Sequence, residues 1–329
     1  MVERDLFGSD ISEITGLDPG SIGKTMIIDR LSHHTEILQN VSHFITYVKI
    51  GWGLPFLMNR TALLKRLNDI KSMGLGVSNG GTFLETCSMK GKFEKGLKSI
   101  IEAGFTHIEI SEGLYELTRR EKKMAMETAM SSNVKLVMEV GKKGRENQLS
   151  LIDTIYKIQE SMDYSPETII LEGRENGRDV GIYDHEGNIK WDWVEKILET
   201  VNLESLMFEA PLEKQQTELI TRLGRGVNLG NVQIASAASV TAQRFGLAGE
   251  NVFINDQVRE CNGSPATKFV YHIIRNAISA DQTSLMNITG LNRRTVQNAI
   301  SDLIDMKLIK EVYDPRDMRR KTYSCINKS

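Results

Sequence analysis

Eight short apolar runs, each followed by an amphipathic stretch, limit what this chain can fold into. The stretches between the runs have helical periodicity, as where Leu63, Leu67 and Ile70 share one face. Strands that alternate with helices form parallel βαβ units, and eight units in roughly 230 residues fit a closed (β/α)8 TIM barrel better than an open sheet. The runs lie at 24–29, 45–51, 75–81, 106–111, 135–141, 168–173, 205–211 and 226–231.

The composition indicates a soluble globular protein. The chain has 329 residues, of which 40% are apolar and 26% charged, and this length allows one large domain and a small one. No apolar run approaches the roughly 18 residues of a membrane span, and the acidic N-terminus lacks the apolar core of a signal peptide. The three cysteines are far apart in sequence. We therefore expect a cytoplasmic protein without a disulfide scaffold, a zinc site or a membrane partner.

The periodicity and the charge both change near residue 264. Residues 264–329 carry 11 Lys+Arg and 6 Asp+Glu, whereas the rest of the chain carries 30 and 37. A basic small part joined to an acidic large part suggests two partners of different kinds. The predicted division is an N-terminal extension at 1–20, the barrel at 21–252, a linker at 253–264 and a winged helix-turn-helix domain at 265–329.

Polar residues stand at the end of nearly every predicted strand. The active site of a (β/α)8 barrel lies at the carboxyl ends of its strands. Because these ends converge on one mouth, solvation of separate turns explains the pattern poorly, and we expect a site there. The residues concerned are Asp29, Lys49, Gly80, Gly81, Glu109, Ser111, Glu112, Glu139, Lys142, Glu172, Arg174, Glu209, Asn228 and Asn231.

The motifs at these strand ends resemble those of the phosphosulfolactate synthase family over about residues 20–250. They occur in the family's order, and the most specific are EVGKK at 139–143 and EGRENG at 172–177. The resemblance implies a (β/α)8 barrel that adds sulfite to phosphoenolpyruvate with Mg²⁺, on the way to coenzyme M or other sulfonates, and a homo-oligomer. Plant heat-stress proteins are also related, so the fold alone does not settle the reaction.

The chemistry of sulfite addition indicates which residue types the mouth needs. Negative charge develops beside the attacked carbon and must be stabilised by a divalent cation or by cationic side chains. A proton must then be supplied. The resemblance assigns that role to Lys142 and makes Glu139 a metal ligand or a partner that holds a lysine. Lys49 is the third predicted catalytic residue, and Lys143 is a further cation at the mouth. The predicted Mg²⁺ ligands are Asp29, Glu172 and Glu209. The predicted substrate-binding residues are Gly80, Gly81, Ser111, Arg174, Arg178, Asn228 and Asn231.

Two segments depart from the family pattern. The family's PGGTLFE is NGGTFLE here, and its EISDG, followed by small hydroxyl residues, is EISEG followed by Leu114. The longer Glu112 can shift an anion pocket. A different C–C, C–S or phosphate reaction on a related small acid therefore stays open as an alternative.

The C-terminal segment resembles a winged helix-turn-helix. After a predicted N-cap at Asn292, Val296 and Ile300 fall on one helical face. The opposite face offers donors and acceptors suited to base edges in the DNA major groove, and a basic loop suits phosphates. The alternative for this segment is a module for protein–protein contact. The alternative for the whole chain is a transcriptional regulator whose barrel senses a phosphorylated or sulfonated metabolite without catalysis. The predicted DNA-binding residues are Arg293, Arg294, Gln297, Asn298, Arg316, Arg319, Arg320 and Lys321.

Overall fold

A computed structural model describes most of the chain and divides it into two compact units, Met1–Ile254 and Asn255–Ser329. The predicted extension 1–20 and most of the predicted linker 253–264 lie outside the described residues. The described residues are 22–31, 35–144, 146–248, 261, 263–276, 280–314 and 317–325, without the side chains of 314 and 317–320.

The first unit is a closed barrel of eight parallel strands, which confirms the predicted (β/α)8 fold. Each strand pairs with its sequence neighbours, and β1 pairs with β8 to close the ring. The strands are β1 Thr25–Asp29, β2 Tyr47–Ile50, β3 Gly76–Ser78, β4 His107–Ser111, β5 Lys135–Val140, β6 Thr168–Leu171, β7 Leu206–Glu209 and β8 Asn228–Gln233.

Helices surround the barrel, and polar side chains mark several of their starts. Asn59 accepts a hydrogen bond from the Ala62 amide, and Thr118 forms a reciprocal capping box with Glu121. None of the helices in the described part of the chain combines the length and apolar character that a membrane crossing demands. The helices are α1 Thr35–Val41, α2 Leu54–Leu57, α3 Arg60–Ser72, α4 Gly81–Met89, α5 Phe93–Ala103, α6 Arg119–Ser131, α7 Leu151–Met162, α8 Trp191–Leu198, α9 Glu213–Leu223 and α10 Ala237–Arg244.

The strands alternate between two hydrophobic layers. One set of side chains packs inside the barrel, while their strand neighbours, such as Ile27, Val48 and Met138, pack outward against the helices. Since side chains alternate along a strand, a residue two positions after an interior one also faces the interior. This rule decides which polar residues reach the mouth. The interior set is Met26, Tyr47, Val137, Ile170 and Met207.

The second unit has its own apolar core, which includes Val270, Leu285, Val296 and Leu303. Antiparallel β9 and β10 form a hairpin, and Ala280 pairs with Tyr323 as a third, single-residue strand. The elements are α11 Pro265–Asn276, α12 Gln282–Thr289, α13 Arg293–Asp305, β9 Ile309–Asp314 and β10 Asp317–Cys325.

Candidate active site

Lys49 is buried near the carboxyl end of β2, surrounded by carboxylates from three other strands. It faces the barrel interior because Tyr47, two residues earlier, does so. Its ammonium nitrogen lies 2.8 Å from Glu109 Oε1, 3.0 Å from Glu139 Oε2 and 2.8 Å from Glu209 Oε1. Burial alone would lower the pKa of Lys49, but the three carboxylates outweigh burial and raise the pKa well above its ordinary value. Lys49 is therefore a permanent cation that holds these carboxylates together.

Glu139, Glu172 and Glu209 form a carboxylate cluster in which each offers an oxygen within 4.8 Å of the others. Burial and the charges of Glu139 and Glu209 raise the pKa of Glu172 well above its ordinary value. Burial would also raise the pKa of Glu139, but Lys143 and Lys49 outweigh it and lower that pKa. Glu172 therefore keeps its proton to a higher pH than Glu139 does.

Two oxygens of this cluster lack the hydrogen bonds that buried carboxylates normally receive. With both carboxyl groups ionised, Glu139 Oε1 and Glu172 Oε2 accept no hydrogen bond from the described residues. A buried polar atom left without a partner destabilises the fold by about 1–3 kcal/mol, and more when it is charged. The Lys143 ammonium group lies 3.4 Å and 3.9 Å from these oxygens without a hydrogen bond to them, so a shared proton or a further cation would complete the pair.

Lys142 and Lys143 leave the end of β5 in different directions. The Lys142 ammonium group donates to the carbonyl oxygen of Glu112 at 2.8 Å. The Lys143 ammonium group lies 3.4 Å from Glu139 Oε1 and 3.9 Å from Glu172 Oε2. Burial would lower the pKa of Lys143, but the two carboxylates raise it. The structure therefore brings Lys143, and not the predicted Lys142, to the carboxylate cluster.

Arg174, Ser111 and Asn231 carry buried polar atoms without hydrogen-bond partners among the described residues, and those of Arg174 and Ser111 can donate to an anionic ligand. Arg174 Nε and Nη2, Ser111 Oγ and Asn231 Oδ1 have no hydrogen-bond partner among the described residues. The backbone of Arg174 is left-handed, with φ of 54°, and its amide donates to Glu172 Oε1 at 2.7 Å. Such backbone strain in a residue other than glycine is typical of functional sites. All three residues were predicted to bind substrate.

The amides of Gly80 and Gly81, also predicted to bind an anion, are engaged within the protein. The Gly80 amide donates to Ser78 Oγ at 3.2 Å, and the Gly81 amide donates to Glu109 Oε1 at 3.0 Å. A Cβ atom at position 81 would lie 2.2 Å from Ser111 Oγ, so only glycine lets α4 begin this close to β4. In this geometry the amides orient Glu109 and Ser78.

The structure does not bring Asp29, a predicted metal ligand, to the carboxylate cluster. Met26 faces the barrel interior, so Asp29, three residues later, faces the helix layer. There the Arg66 guanidinium group donates two hydrogen bonds to it, both at 2.8 Å. Asp29 thus joins β1 to α3 on the outside of the barrel.

Asn228 and Arg178 also lie apart from the cluster. Asn228 is the first residue of β8, level with Met207 and one layer below Glu209. Its side-chain amide accepts from the Lys24 amide at 2.8 Å and donates to backbone carbonyl groups at the amino end of the barrel. Arg178 is exposed on the loop that follows β6.

Glu109 is a site residue to which sequence reasoning gave no role. It receives hydrogen bonds from Ser78 Oγ at 2.7 Å and from the Gly81 amide, and it pairs with Lys49. A signal was available, because Glu109 lies two residues before the predicted Ser111 and so shares its face of β4.

A contact between Trp52 and Glu175 crosses the mouth. Trp52 follows β2 and Glu175 follows β6, and these strands lie on opposite sides of the eight-stranded ring. The indole N–H donates to the Glu175 carboxylate, while the Arg30 guanidinium carbon lies 4.5 Å from the centre of the indole ring. Trp52 and Glu175 therefore form a bridge over the mouth.

Comparison with known proteins identifies the family. The profile described as “(2R)-phospho-3-sulfolactate synthase (ComA)” matches residues 17–250. The phosphosulfolactate synthase of Methanocaldococcus jannaschii is 32% identical, over 69% of this chain and 93% of that protein. The phosphosulfolactate synthases of Methanothermobacter thermautotrophicus and Bacillus subtilis are each 28% identical, over 71% and 72% of this chain and 93% and 94% of those proteins. The chain therefore belongs to the phosphosulfolactate synthase family, and it is an enzyme of that lyase type.

Proposed function

We propose that the barrel catalyses Mg²⁺-dependent addition of sulfite to phosphoenolpyruvate, giving phosphosulfolactate. The family membership supports this reaction. The observation that carries the proposal is the meeting of a carboxylate cluster, a partly buried Lys143 and an Arg174 with unpaired buried nitrogens at one barrel mouth.

The charges at the mouth favour a divalent cation. Four buried carboxyl groups pair with Lys49 or Lys143, namely Glu109, Glu139, Glu172 and Glu209, and Arg174 is the third cation beside them. With all seven groups ionised they carry one negative charge in excess, which repels phosphoenolpyruvate and sulfite. Protonation of one carboxyl group only cancels that excess, whereas a divalent cation makes the sum of these charges positive.

The described residues fit such a cation. Glu139, Glu172 and Glu209 would hold Mg²⁺, since carboxylate oxygens are its preferred protein ligands and two of theirs accept no hydrogen bond from the described residues. When bound there, Mg²⁺ supplies positive charge that stabilises the enolate-like oxygens of the transition state. Lys49 stays saturated by its three carboxylates and fixes the geometry of the cluster.

The side chains provide for the remaining steps. Arg174 offers Nε and Nη2 to an anionic oxygen pair, which matches phosphate or carboxylate geometry. The sulfur lone pair of sulfite forms the C–S bond at the methylene carbon, and the double-bond electrons move toward the neighbouring carbon and its carboxylate. Lys143 then donates a proton from Nζ to that carbon. Neutralisation of Glu139 and Glu172 would lower the raised pKa of Lys143 and so favour this transfer.

A comparison of the two adjacent lysines tests this assignment. Purified protein is incubated with phosphoenolpyruvate, sulfite and Mg²⁺, and the substrate is followed by phosphorus NMR. Loss of a general acid typically lowers the rate about 10²–10⁴-fold, so Lys143→Ala should show such a loss and Lys142→Ala a much smaller one. The reverse order would return the role to Lys142 as predicted from the sequence. No sulfonated product from the unaltered protein would overturn the proposed reaction.

We further propose that the C-terminal unit is a winged helix-turn-helix that binds DNA. The order α11, Ala280 strand, α12, α13 and β9–β10 hairpin supports this assignment, with the Ala280–Tyr323 pairing joining the first strand to the last. Asn292 caps α13 through a 2.9 Å bond from the Thr295 amide. The residues exposed on the first turns of α13 are Arg293, Arg294, Gln297 and Asn298.

The proposed wing is the β9–β10 hairpin. Lys321 pairs with Glu311 at 3.2 Å, which weakens its attraction for a phosphate group. Arg316 lies outside the described residues, as do the side chains of Arg319 and Arg320. Paired DNA half-sites would require two copies of the chain, in line with the predicted homo-oligomer.

DNA binding is tested by fluorescence anisotropy with duplex DNA across a salt series. Replacing Arg293 and Arg294 by alanine should weaken binding and flatten its salt dependence, by a slope of about 0.9 for each phosphate group that the variant no longer neutralises. Lys268→Ala, which removes an exposed charge on α11, is the control. Absence of binding at low salt would refute the proposal. A change of DNA affinity with phosphoenolpyruvate or sulfite, without product formation, would favour the sensor alternative.

A further inference from the structure

Gln148 connects the loop that carries Lys143 to the loop that follows β6. Its side-chain Nε2 donates to the Lys142 carbonyl oxygen at 2.6 Å and to the Gly144 carbonyl oxygen at 2.7 Å. Its Oε1 accepts from the Gly181 amide at 3.1 Å. Both N–H groups and the carbonyl oxygen of the amide are therefore used, and the two donated bonds flank Lys143.

Lys143 needs such support because it lies outside regular structure. Beyond β5 the backbone turns at Gly141, where φ is 146° and a Cβ atom would lie 2.3 Å from Glu172 Cβ. The Lys143 amide makes one further anchor, a 3.0 Å bond to the Gly113 carbonyl oxygen. The alternation of a strand no longer sets the direction of the side chain here. The hydrogen bonds of the loop place the backbone, and from there the Lys143 ammonium group donates to Thr82 Oγ1 at 3.0 Å.

We propose that Gln148 is a positioning residue that holds the Lys143 ammonium group against the carboxylate cluster for proton transfer. This inference rests on the proposed function of Lys143. Gln148 acts through the backbone on either side of Lys143, and it ties that backbone to the same loop that presents Arg174.

The chain offers a matched control in Gln215. Gln215 is fully buried and its Nε2 donates to the carbonyl oxygens of Gly177 and Gly187, at 2.7 and 3.0 Å. It therefore also braces the loop after β6, but it makes no described hydrogen bond to residues 142–144. Substitution of Gln215 therefore tests the effect of disordering the loop after β6, whereas substitution of Gln148 also tests the placement of Lys143.

The test uses Gln148→Glu, which keeps the side-chain volume but turns the donors into an anion facing two carbonyl oxygens. Gln148→Ala is the second variant. A displacement of about 1 Å can cost up to about a hundredfold, so kcat should fall about tenfold to a hundredfold while KM for phosphoenolpyruvate changes little. Gln215→Ala should lower thermal stability at least as much yet keep most of kcat.

A second readout needs no activity. Amine acylation, mapped by mass spectrometry, should increase at Lys143 in both Gln148 variants relative to the exposed Lys65. Unchanged kcat and unchanged Lys143 acylation would overturn the inference, as would equal kcat losses in the Gln148 and Gln215 variants. If the unaltered protein forms no sulfonate but Lys143 acylation still rises in the Gln148 variants, the proposed reaction fails while the placement of Lys143 by Gln148 stands.

Discussion

Replacing Lys49 by methionine tests whether one buried cation holds the mouth together. Methionine keeps the length of the side chain but removes the charge that contacts Glu109, Glu139 and Glu209 at 2.8–3.0 Å. Removing one partner of a buried ion pair typically destabilises a protein by about 3–5 kcal/mol. Lys49 has three partners, but the stranded carboxylates can take up protons, so we expect a loss of about 4 kcal/mol at pH 8.

The pH dependence follows from the direction of the carboxyl pKa values. Burial already raises the pKa values of Glu172 and Glu209, and Lys49 acts to lower those of Glu139 and Glu209, so removing Lys49 raises the pKa values of the latter two. A group whose pKa is higher in the folded than in the unfolded state stabilises the fold at low pH, and that stability is lost as pH rises. The destabilisation caused by Lys49→Met should therefore be smaller at pH 5 than at pH 8.

Urea denaturation at the two pH values measures this effect. Lys65→Met is the control, since Lys65 pairs with Asp69 at 2.8 Å on an exposed turn of α3, where the side chain is 76% exposed. Its loss should cost about 0.5 kcal/mol or less at either pH. A Lys49→Met deficit below about 1 kcal/mol at pH 8, comparable to that of a surface ion pair, would refute the reasoning. So would a deficit of equal size at both pH values.

Three further predictions concern the mouth. Mg²⁺ should raise the thermal midpoint of the protein, and more at pH 8 than at pH 6, because Glu172 must lose its proton to bind the cation. Glu172→Gln should remove most of this rise. An unchanged midpoint in the unaltered protein counts against the metal site. Asp29→Asn should lower stability, measured by urea denaturation, but leave that Mg²⁺ response intact, since Asp29 pairs with Arg66 outside the barrel. Glu175→Gln should change Trp52 fluorescence and raise KM for phosphoenolpyruvate several-fold, whereas unaltered kinetics would show that the bridge has no part in substrate binding.

The barrel and much of its mouth were predictable from the sequence because both depend on local periodicity. Apolar runs that alternate with amphipathic stretches predict the eight βα units. The alternation of side chains along each strand also predicts which polar residues face the barrel interior at the mouth. Val137 and Glu139 share one face of β5, and Tyr47 and Lys49 share one face of β2. The same rule, applied from Met26, places Asp29 on the outer face.

Only the tertiary structure determined where the side chains that follow the strand ends point. Lys142 and Lys143 are adjacent, and no periodicity distinguishes them once Gly141 has turned the chain. Lys142 is directed by the Glu112 carbonyl oxygen, and Lys143 by Thr82 and Glu172 as well as by the nearby Glu139. Most of these partners are distant in sequence, and only the folded barrel brings them together.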